Sequence, residues 1–374
     1  MHIDMKVAIV IDDLGMGGAQ HVVYELVKHI DPAKYTATIV CTEEQRDFLL
    51  EKQILQERYN VVFLKKHCRW RRILDYIKIF ELYAVLQKLK PDIIHVHQRG
   101  ILAAFWAIIN HVFIIATIHT NPSAVFPWWF EKFFFKLALF FRRIVVVAIS
   151  EYNFKLIKKY WNLNNTSACF VNNGINISQY YCKSHDIFTF INVSRQDENK
   201  NQSLILRAFA RLYNENPAIP MKVYLVGDGK THELLKKQVK DLGISDVVEF
   251  TGYIPTASDY LAVSDVYISS AHREGLSLSV LEAMAAKLPI IATDAGGVRD
   301  LAQENGILIA DDDEQGLYLA MKLLRDNNEL RIRKGNKSYE MVQTYSAETM
   351  AKEYCALYEK FSHEEKKIFL KKEV

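Results

Sequence analysis

Two glutamates in the last third of the sequence have the spacing of a polar ligand site. Glu274 and Glu282 stand eight positions apart, and the stretch between them, residues 275–279, is small and rich in hydroxyl groups. A helical pattern over residues 280–287 follows, which predicts Glu274 on a loop and Glu282 on the first turn of a helix. Free N–H groups and a positive dipole end make a helix N-terminus a phosphate site. The pattern predicts a nucleotide site, in which amides bind a diphosphate and Glu282 binds sugar hydroxyls.

Alternating helices and strands must position these groups. Pro289 ends the predicted helix, a buried strand follows at residues 290–293, and a glycine-rich turn follows at residues 295–297. An acid-bearing loop in an ordinary αβ unit of a doubly wound sheet would show the same local pattern. The two carboxylates alone therefore do not separate a ligand site from a structural loop.

The longer string resembles the donor-site signature of the retaining glycosyltransferases of family 4, which have the GT-B fold. The residues that carry the resemblance are Glu274, Glu282, Ala283-Met284-Ala285 and Pro289-Ile290-Ile291-Ala292-Thr293. It implies that Glu274 lies against the transferred sugar and that Glu282 binds the donor ribose. It also implies an α/β protein with two Rossmann-like doubly wound parallel-sheet domains facing a central cleft. A nucleotide-sugar is then the co-substrate, and neither a cofactor nor a metal is required.

Length and composition agree with two cytoplasmic domains. The 374 residues, half of them hydrophobic, are enough for two sizeable cores. The five cysteines are scattered without C-x-x-C spacing, which favours a reducing cytoplasm. No signal peptide is expected at the N-terminus. We predict an acceptor domain over residues 1–180, a donor domain over 181–344, and a helix over 345–374 that crosses back to the first domain.

Charge is distributed unevenly along the chain. Residues 1–160 carry 22 Lys and Arg against 15 Asp and Glu, a net +7, so the remainder of the +3 chain carries −4. A basic first half indicates an anionic partner. No nucleic-acid motif accompanies the charge, so nucleic acid is not expected. An anionic membrane surface is the favoured partner, with the protein peripheral on its cytoplasmic face.

A glycine-rich turn follows the first predicted strand, residues 6–11. Gly15, Gly17 and Gly18 precede a helical pattern, but Gln20 stands where a dinucleotide fingerprint requires its third glycine. The pattern fits a tight strand-to-helix turn. It also resembles the family's N-terminal glycine loop, which implies that Gly17 and Gly18 close over the donor diphosphate.

Three histidines follow or end two predicted strands of the first half. His95 and His97 alternate along strand 92–97 and share one face. With His119 they offer three imidazoles, but no carboxylate partner is evident, so a wall of the cleft is expected rather than a metal site. His119 follows strand 113–118 and matches the family histidine that faces the donor sugar; a hydrogen-bonded loop histidine is the alternative.

The segment 126–143 is aromatic and basic. At 100° per residue, Lys132, Lys136 and Arg143 fall within a narrow arc, and most of the remaining side chains are aromatic or Leu. This predicts an amphipathic helix over 128–143 whose three cations face a membrane surface, although a helix that covers the sheet would explain the same pattern. The apolar run 101–117 contains Asn110 and His111, which favours a helix–turn–strand over a membrane span.

A polar loop at residues 194–201 separates strand 188–193 from helix 202–213. Arg195 and Lys200 stand near its two ends and match the family's phosphate-binding cations, although a solvated charge pair is the alternative. The acidic run 311–313 has D-x-D spacing but is interpreted as solvated surface charge. The remaining donor-binding candidates, which the resemblance implies, follow strands or lie just before the 280–287 helix: Gly227, Tyr253, Ile254, Ser277, Leu278 and Ser279.

The resemblance implies a retaining glycosyltransferase that moves a sugar, a hexose or an N-acetylhexosamine, from a nucleotide diphosphate-sugar to a hydroxyl of a glycan or lipid-linked acceptor. A UDP-sugar is favoured and GDP-mannose is the second choice. Bacterial surface polysaccharide synthesis is the expected setting. Two alternatives remain at this point: a nucleotide-sugar epimerase of the same fold, and a non-catalytic protein that binds sugar nucleotides.

Overall fold

The computed structural model describes residues 5–15, 17–46, 48–65, 71–97, 103–119, 122–125 and 129–370. The chain forms two compact units. The N-terminal unit contains residues 1–174 and 347–374, and the C-terminal unit contains residues 175–346. The chain enters the C-terminal unit at Ile175, whose N–H donates to the Tyr345 carbonyl at 3.0 Å. This bond joins the first and last turns of the C-terminal unit, and it lies a few residues before the predicted division at 180.

The N-terminal unit is built on a seven-stranded parallel sheet. Its strands are short apolar runs, mostly buried, as expected where helices cover both faces of a parallel sheet. The strand order is β3-β2-β1-β4-β5-β6-β7. The strands are β1 (Met5–Ile11), β2 (Tyr35–Cys41), β3 (Asn60–Phe63), β4 (Ile93–His97), β5 (Phe113–Ile118), β6 (Ile144–Ala148) and β7 (Ala168–Phe170).

Among the described residues, seven helices accompany these strands. They are α1 (Gly18–His29), α2 (Leu49–Gln56), α3 (Arg71–Leu89), α4 (Ala104–Ile109), α5 (Pro122–Val125), α6 (Trp129–Phe140) and α7 (Glu151–Trp161). The run 101–117 contains α4 and the start of β5, which confirms the predicted helix–turn–strand. Within the described residues, no helix is long and apolar enough to cross a membrane.

The C-terminal unit repeats the architecture with a six-stranded parallel sheet in the order β10-β9-β8-β11-β12-β13. The strands are β8 (Phe188–Val193), β9 (Met221–Val226), β10 (Val248–Gly252), β11 (Val266–Ser269), β12 (Ile290–Thr293) and β13 (Gly306–Ile309). The helices are α8 (Gln202–Glu215), α9 (His232–Asp241), α10 (Ser258–Ala262), α11 (Leu278–Ala285), α12 (Val298–Leu301), α13 (Glu314–Asp326) and α14 (Asn328–Val342).

The last helix, α15 (Ala347–Leu370), returns to the N-terminal unit and packs against α1, β4 and β5. Its Tyr354 and Tyr358 side chains are fully buried there.

The strand order fixes where a ligand can bind in each unit. In an open α/β sheet the crevice lies outside the carboxyl ends of the strands, at the point where the strand order reverses. That point lies between β1 and β4 in the N-terminal unit and between β8 and β11 in the C-terminal unit. Gly17, Arg195, Lys200, Glu274 and Ser277 lie on the loops that leave β1, β8 and β11.

Candidate active site

The two loops at the switch point of the C-terminal unit are hydrogen-bonded to each other through side-chain and backbone groups. The Asn199 amide donates to the Arg273 carbonyl at 2.9 Å, and the His272 N–H donates to the Asn199 carbonyl at 2.8 Å. The Ser270 hydroxyl donates to the Lys200 carbonyl at 2.8 Å. Loop 194–201 after β8 and loop 270–277 after β11 therefore form one bonded surface.

An ion pair joins these loops. The Lys200 Nζ donates to the Glu274 Oε2, and the two side chains are 20% and 16% exposed. The predicted phosphate-binding lysine and the predicted sugar-facing glutamate are thus in direct contact. Each side chain neutralises the charge of the other.

Arg195 lies on the same loop but has a different partner. Its Nε donates to the Asp197 Oδ2 at 2.6 Å, while 76% of its side chain is exposed. Asp197 also accepts from the backbone N–H of Lys200, at 3.2 Å from Oδ1. Asp197 thus shapes the loop and tethers the guanidinium, which stays open to an anion. The sequence reasoning did not single out Asp197.

The start of α11 is pinned to the sheet by a tyrosine that the sequence reasoning also missed. The Tyr267 hydroxyl contacts the Ser279 hydroxyl at 2.9 Å and the Val193 carbonyl at 3.2 Å. Ser277 is the N-cap residue of α11, and its hydroxyl lies 3.2 Å from that of Ser279. Leu278 is the first helical residue. The N–H groups of this first turn have no partner within the helix, so they are available to an anion beside Lys200.

Glu282 lies in the second turn of α11, and its predicted place in the first turn was wrong. The helix begins at Leu278 rather than Val280, and Ser277 is its N-cap residue by backbone position, with no side-chain capping hydrogen bond. The Glu282 side chain is partly buried. Burial raises the pKa of this carboxyl to about 7, while a hydrogen bond from Tyr180 opposes the rise. The raised pKa follows from desolvation of the charged form, and contact of Glu282 with a donor ribose stays a prediction.

Gly297 lies directly against the loop that carries Glu274. The Gly297 N–H donates to the Glu274 carbonyl at 3.1 Å. A Cβ at position 297 would lie 1.5 Å from the Gly275 carbonyl oxygen. The glycine-rich turn 295–297 therefore lets the backbone approach the Glu274 loop more closely than any side chain would permit.

Gly227 plays a comparable part at the end of β9. It has a φ of +123°, and a Cβ there would lie 2.2 Å from the Ser194 carbonyl oxygen. The Gln196 amide also donates to the Gly227 carbonyl at 2.8 Å. Gly227 thus packs against the loop that carries Arg195, and its contact with a donor stays a prediction. Tyr253 and Ile254 follow β10 and are partly buried; their contact with a base also stays a prediction.

The aspartates of the D-x-D run have separate structural partners. Asp311 contacts the His272 Nδ1 at 2.7 Å, and Asp312 lies 3.5 Å from Arg207. Asp313 accepts from the Gly316 N–H at 2.8 Å as the N-cap of α13. Across the described residues, no group of three or more His, Cys, Asp or Glu side chains is arranged to hold a metal ion.

In the N-terminal unit, the glycine turn after β1 is closed by an aspartate. Asp13 Oδ1 accepts from the Gly15 N–H and from the Gln20 amide, both at 2.9 Å. Gly17 is the N-cap residue of α1, and a Cβ there would lie 2.2 Å from the Gln20 Oε1. Gly18 begins the helix. Gln20, which replaces the third glycine of a dinucleotide fingerprint, therefore fixes this turn. Contact of Gly17 and Gly18 with a diphosphate stays a prediction.

The three histidines meet at the carboxyl ends of β4 and β5. His95 and His97 are fully buried, and the His97 Nδ1 lies 2.7 Å from the His119 Nε2. Burial lowers the pKa of His119 to about 4 and that of His95 to about 3. His119 is partly exposed at the edge of the sheet where ligands bind. The contact of His119 with a donor sugar stays a prediction.

Helix α6 has one face in the core and another in solvent. Phe135 and Ala138 are buried in the core of the unit, whereas Lys132, Phe133, Lys136 and Phe140 are exposed. The helix ends at Phe140, and Arg142 has a φ of +52°. The predicted helix to residue 143 was wrong: Arg143 lies beyond the turn, and its guanidinium donates to the His111 carbonyl at 2.9 Å. Trp128, the predicted first residue of this helix, lies outside the described residues.

Two family sequence models match consecutive parts of the chain. The model described as Glycosyltransferase Family 4 matches residues 16–179, and the model described as Glycosyl transferases group 1 matches residues 176–341. Between them they cover both units. The chain belongs to the family 4 glycosyltransferases.

The curated relatives agree with this assignment over part of their length. A putative glycosyltransferase, EpsD, of Bacillus subtilis is 29% identical over 46% of this chain and 45% of its own length. The lipopolysaccharide core biosynthesis glycosyltransferase LpsE of Rhizobium meliloti is 29% identical over 45% of this chain and 48% of its own. A Campylobacter jejuni N-acetylgalactosaminyltransferase, named for an undecaprenol-diphosphate-linked acceptor, is 25% identical over 44% of each chain. The matches span about half the length of these relatives.

Solved structures show the fold. Anabaena HepE in complex with UDP and glucose superimposes with a TM-score of 0.81 and 17% identity, over 94% of this chain and 99% of that chain. Sucrose-phosphate synthase from Thermosynechococcus elongatus superimposes with a TM-score of 0.76 and 16% identity, over 95% and 98%. Together with the two doubly wound sheets, these likenesses establish the GT-B fold that the sequence predicted.

Proposed function

We propose that this protein transfers a sugar from a nucleotide diphosphate-sugar to a hydroxyl group of a glycan or lipid-linked acceptor, with retention of anomeric configuration. The observation that carries the proposal is the Lys200–Glu274 pair beside the N-terminus of α11. It puts a cation, a carboxylate and free helix amides together at the ligand edge of one sheet. A diphosphate, which carries negative charge next to a polyhydroxylated sugar, matches these three groups.

The diphosphate is the leaving group, and it gains negative charge as the bond to the sugar breaks. Lys200, Arg195 and the N–H groups at the start of α11 supply positive charge where that charge develops. Arg195 suits this role because its guanidinium is exposed and is tethered through one nitrogen, which leaves the others for phosphate oxygens. Tyr267 keeps the helix start fixed against the sheet, so these donors need little rearrangement.

The two glutamates take different parts. Glu282 accepts hydrogen bonds from the donor ribose, which relieves the desolvation that raises its pKa. Glu274 moves no proton in this proposal. It accepts a hydrogen bond from the transferred sugar and keeps negative charge near the anomeric carbon, where positive charge develops. His119 is proposed as a further contact of the sugar.

A UDP-sugar is the proposed donor class. The support is that solved structures of the same fold contain UDP, UDP and glucose, or UDP-glucose. The acceptor is proposed to be a surface glycan or a lipid-linked sugar. The support is that relatives are named for lipopolysaccharide core synthesis and for an undecaprenol-linked acceptor.

We also propose that α6 rests on an anionic membrane surface. Phe140 and Phe133 are 79% and 52% exposed, and Lys132 and Lys136 lie exposed on the same helix. Exposed aromatic rings beside cations match an interfacial helix, in which the rings enter the headgroup region and the cations contact anionic lipid. The buried face of α6 packs in the core of the unit. A helix that covers the sheet and a helix that faces a membrane are therefore compatible interpretations of α6.

Binding and turnover test the proposal in two steps. A thermal-shift panel of UDP, GDP, UDP-sugars and GDP-mannose should show stabilisation by the donor class, because a ligand that binds the folded state raises its stability. The donor that binds is then incubated with candidate acceptors and, separately, alone. Sugar transfer is the expected result. An epimer formed from the donor alone would identify an epimerase instead, and binding of no nucleotide would refute the proposal.

A further inference from the structure

A series of buried contacts connects the C-terminal helix to the edge of the N-terminal sheet. His95 is bonded at both ring nitrogens: Nδ1 lies 2.7 Å from the Tyr358 hydroxyl, and Nε2 lies 2.8 Å from the Thr117 hydroxyl. The Thr117 hydroxyl also lies 2.9 Å from the Tyr354 hydroxyl. Both tyrosines belong to α15. His95 is therefore held in place by two hydroxyl groups, from Tyr358 on α15 and Thr117 on β5, and Tyr354 contacts the second of them.

His97 is the next residue in this series. Its ring lies against that of His95, with centroids 4.3 Å apart, and its Nδ1 lies 2.7 Å from the His119 Nε2. The side chain is fully buried, and within the described part of the chain its Nε2 has no hydrogen-bond partner. The contact with His119 is thus the one hydrogen bond of a ring that is otherwise enclosed.

Such a ring is costly to bury. An unpartnered buried nitrogen loses its hydration without compensation, and an apolar side chain of similar volume would fill the same space without this cost. Packing alone does not explain a histidine at position 97. The imidazole of His97 forms a hydrogen bond to His119, which an apolar ring at this position could not form.

We infer that His97 is a positioning residue: it holds His119 in one tautomer and one ring orientation, so that the His119 Nδ1 is presented to the substrate. The inference rests on the proposed function, in which His119 contacts the transferred sugar. His97 itself touches no reacting atom. It acts through His119, and its own ring is fixed by His95 and, through His95, by α15.

The tautomers of the two rings are coupled. Burial lowers the pKa of His97 and of His119, so both rings are neutral near pH 7 and each carries one N–H. If the His97 Nδ1–H donates, the His119 proton lies on Nδ1 and faces the substrate as a donor. If the His119 Nε2–H donates, its Nδ1 is an acceptor. Each state determines whether the His119 Nδ1 is a hydrogen-bond donor or an acceptor for a sugar hydroxyl.

Two polar replacements separate this role from packing. In His97→Asn the amide reaches the position of the lost Nδ1, and in His97→Gln it reaches that of Nε2, away from His119. We expect His97→Asn to keep most of the wild-type kcat and His97→Gln to lose about tenfold, the effect of one hydrogen bond. Donor affinity, measured by calorimetry, should change little in either. Equal kcat values for the two variants would overturn the inference.

A double variant and a spectroscopic measurement complete the test. In a His119→Ala background, His97→Gln should cause no further loss of kcat, because it acts through the missing ring. A further loss would show a separate structural effect and overturn the inference. The ¹⁵N resonances of the His119 ring should report one tautomer in the wild type and a mixture in His97→Gln, and a single tautomer in both would also overturn it. Should His119→Ala itself leave turnover unchanged, the proposed role of His119 fails, whereas the ¹⁵N measurement still decides the positioning of the ring.

Discussion

Lys200 and Glu274 form an ion pair although 74 residues separate them in the sequence. They meet because β8 and β11 are neighbours in the sheet and each contributes the loop at its carboxyl end. The pair therefore has two consequences that can be measured separately, one for the stability of the fold and one for the transfer reaction.

The stability of the Lys200–Glu274 pair is tested by a double-mutant cycle. Lys200→Ala leaves a mostly buried carboxylate without its cation, and the expected loss lies between about 1 kcal/mol for an exposed pair and about 3–5 kcal/mol for a buried one. Lys200→Ala combined with Glu274→Gln should be more stable than Lys200→Ala alone, because no unpaired charge remains. Denaturant unfolding of Lys200→Ala, Glu274→Gln and the double variant, each compared with the wild type, measures this. Additive losses would show that the pair contributes no coupling.

Arg195 offers a cleaner test of leaving-group stabilisation, since most of its side chain is exposed and its loss should leave the fold intact. Arg195→Ala should lower kcat by about a hundredfold, the scale of one lost transition-state donor, and raise the donor KM much less. The matched control is Asp197→Asn, which removes the ionic partner of Arg195 but leaves the positive charge of the guanidinium. This variant should retain more activity than Arg195→Ala. A raised KM with a normal kcat in Arg195→Ala would mean that the arginine binds the ground state alone.

The raised pKa of Glu282 predicts that donor binding is linked to proton release. Its pKa of about 7 lies above the ordinary value of 4.5 because the carboxyl is buried. Hydrogen bonds from a ribose favour the ionised form, so binding should lower this pKa and release part of a proton between about pH 6 and 7. Affinity should rise with pH up to about pH 7 and then level off. A nucleotide-sugar is the ligand to use, since its diphosphate has no free terminal phosphate to titrate in this range.

Calorimetry in two buffers of different ionisation enthalpy measures the released protons. Glu282→Gln is the control, and it should bind with no proton release from this site and with weaker affinity. The same shift affects folding. The raised folded-state pKa means that the folded protein holds a proton between about pH 4.5 and 7 that the unfolded chain has lost, so Glu282 lowers stability as the pH rises through this window. Wild-type and Glu282→Gln proteins should differ least in stability at low pH and most above pH 7.

Particular residues show how far the sequence could predict this protein. The bounds of β5, β8 and β12 are predicted correctly, because a central parallel strand is a continuous apolar run that ends at polar or turn residues. The start of α11 was predicted two residues late, since the capping role of Ser277 depends on backbone geometry. The end of α6 was predicted three residues late, because the left-handed turn at Arg142 leaves no sign in the hydrophobic pattern.

The candidate site was predicted as a set of residues rather than as an arrangement. Glu274, Glu282, Arg195 and Lys200 could be named from their motif. Their partners could not, because the Lys200–Glu274 pair depends on β8 and β11 being adjacent, and the hydrogen bond from Tyr180 to Glu282 joins residues far apart in the sequence. The bond between His97 and His119 depends in the same way on β4 and β5 being adjacent.

The exposed face of α6 yields the last prediction, that the purified protein co-sediments with anionic liposomes and not with zwitterionic ones. Each cation near an anionic surface contributes about 1 kcal/mol, so Lys132→Glu with Lys136→Glu should weaken partitioning by about thirtyfold or more. Arg143 is left unchanged because it bonds to His111. Lys237→Glu with Lys240→Glu on α9 is the matched control, since it makes the same charge change on two exposed lysines of the other unit. Donor binding should be unaffected in both pairs.

High salt should release the wild type, because it screens the cations from the lipid. If both double variants lost liposome binding equally, the binding would depend on net charge and not on α6. If the wild type stayed in the supernatant at low salt, the proposed membrane contact would be wrong.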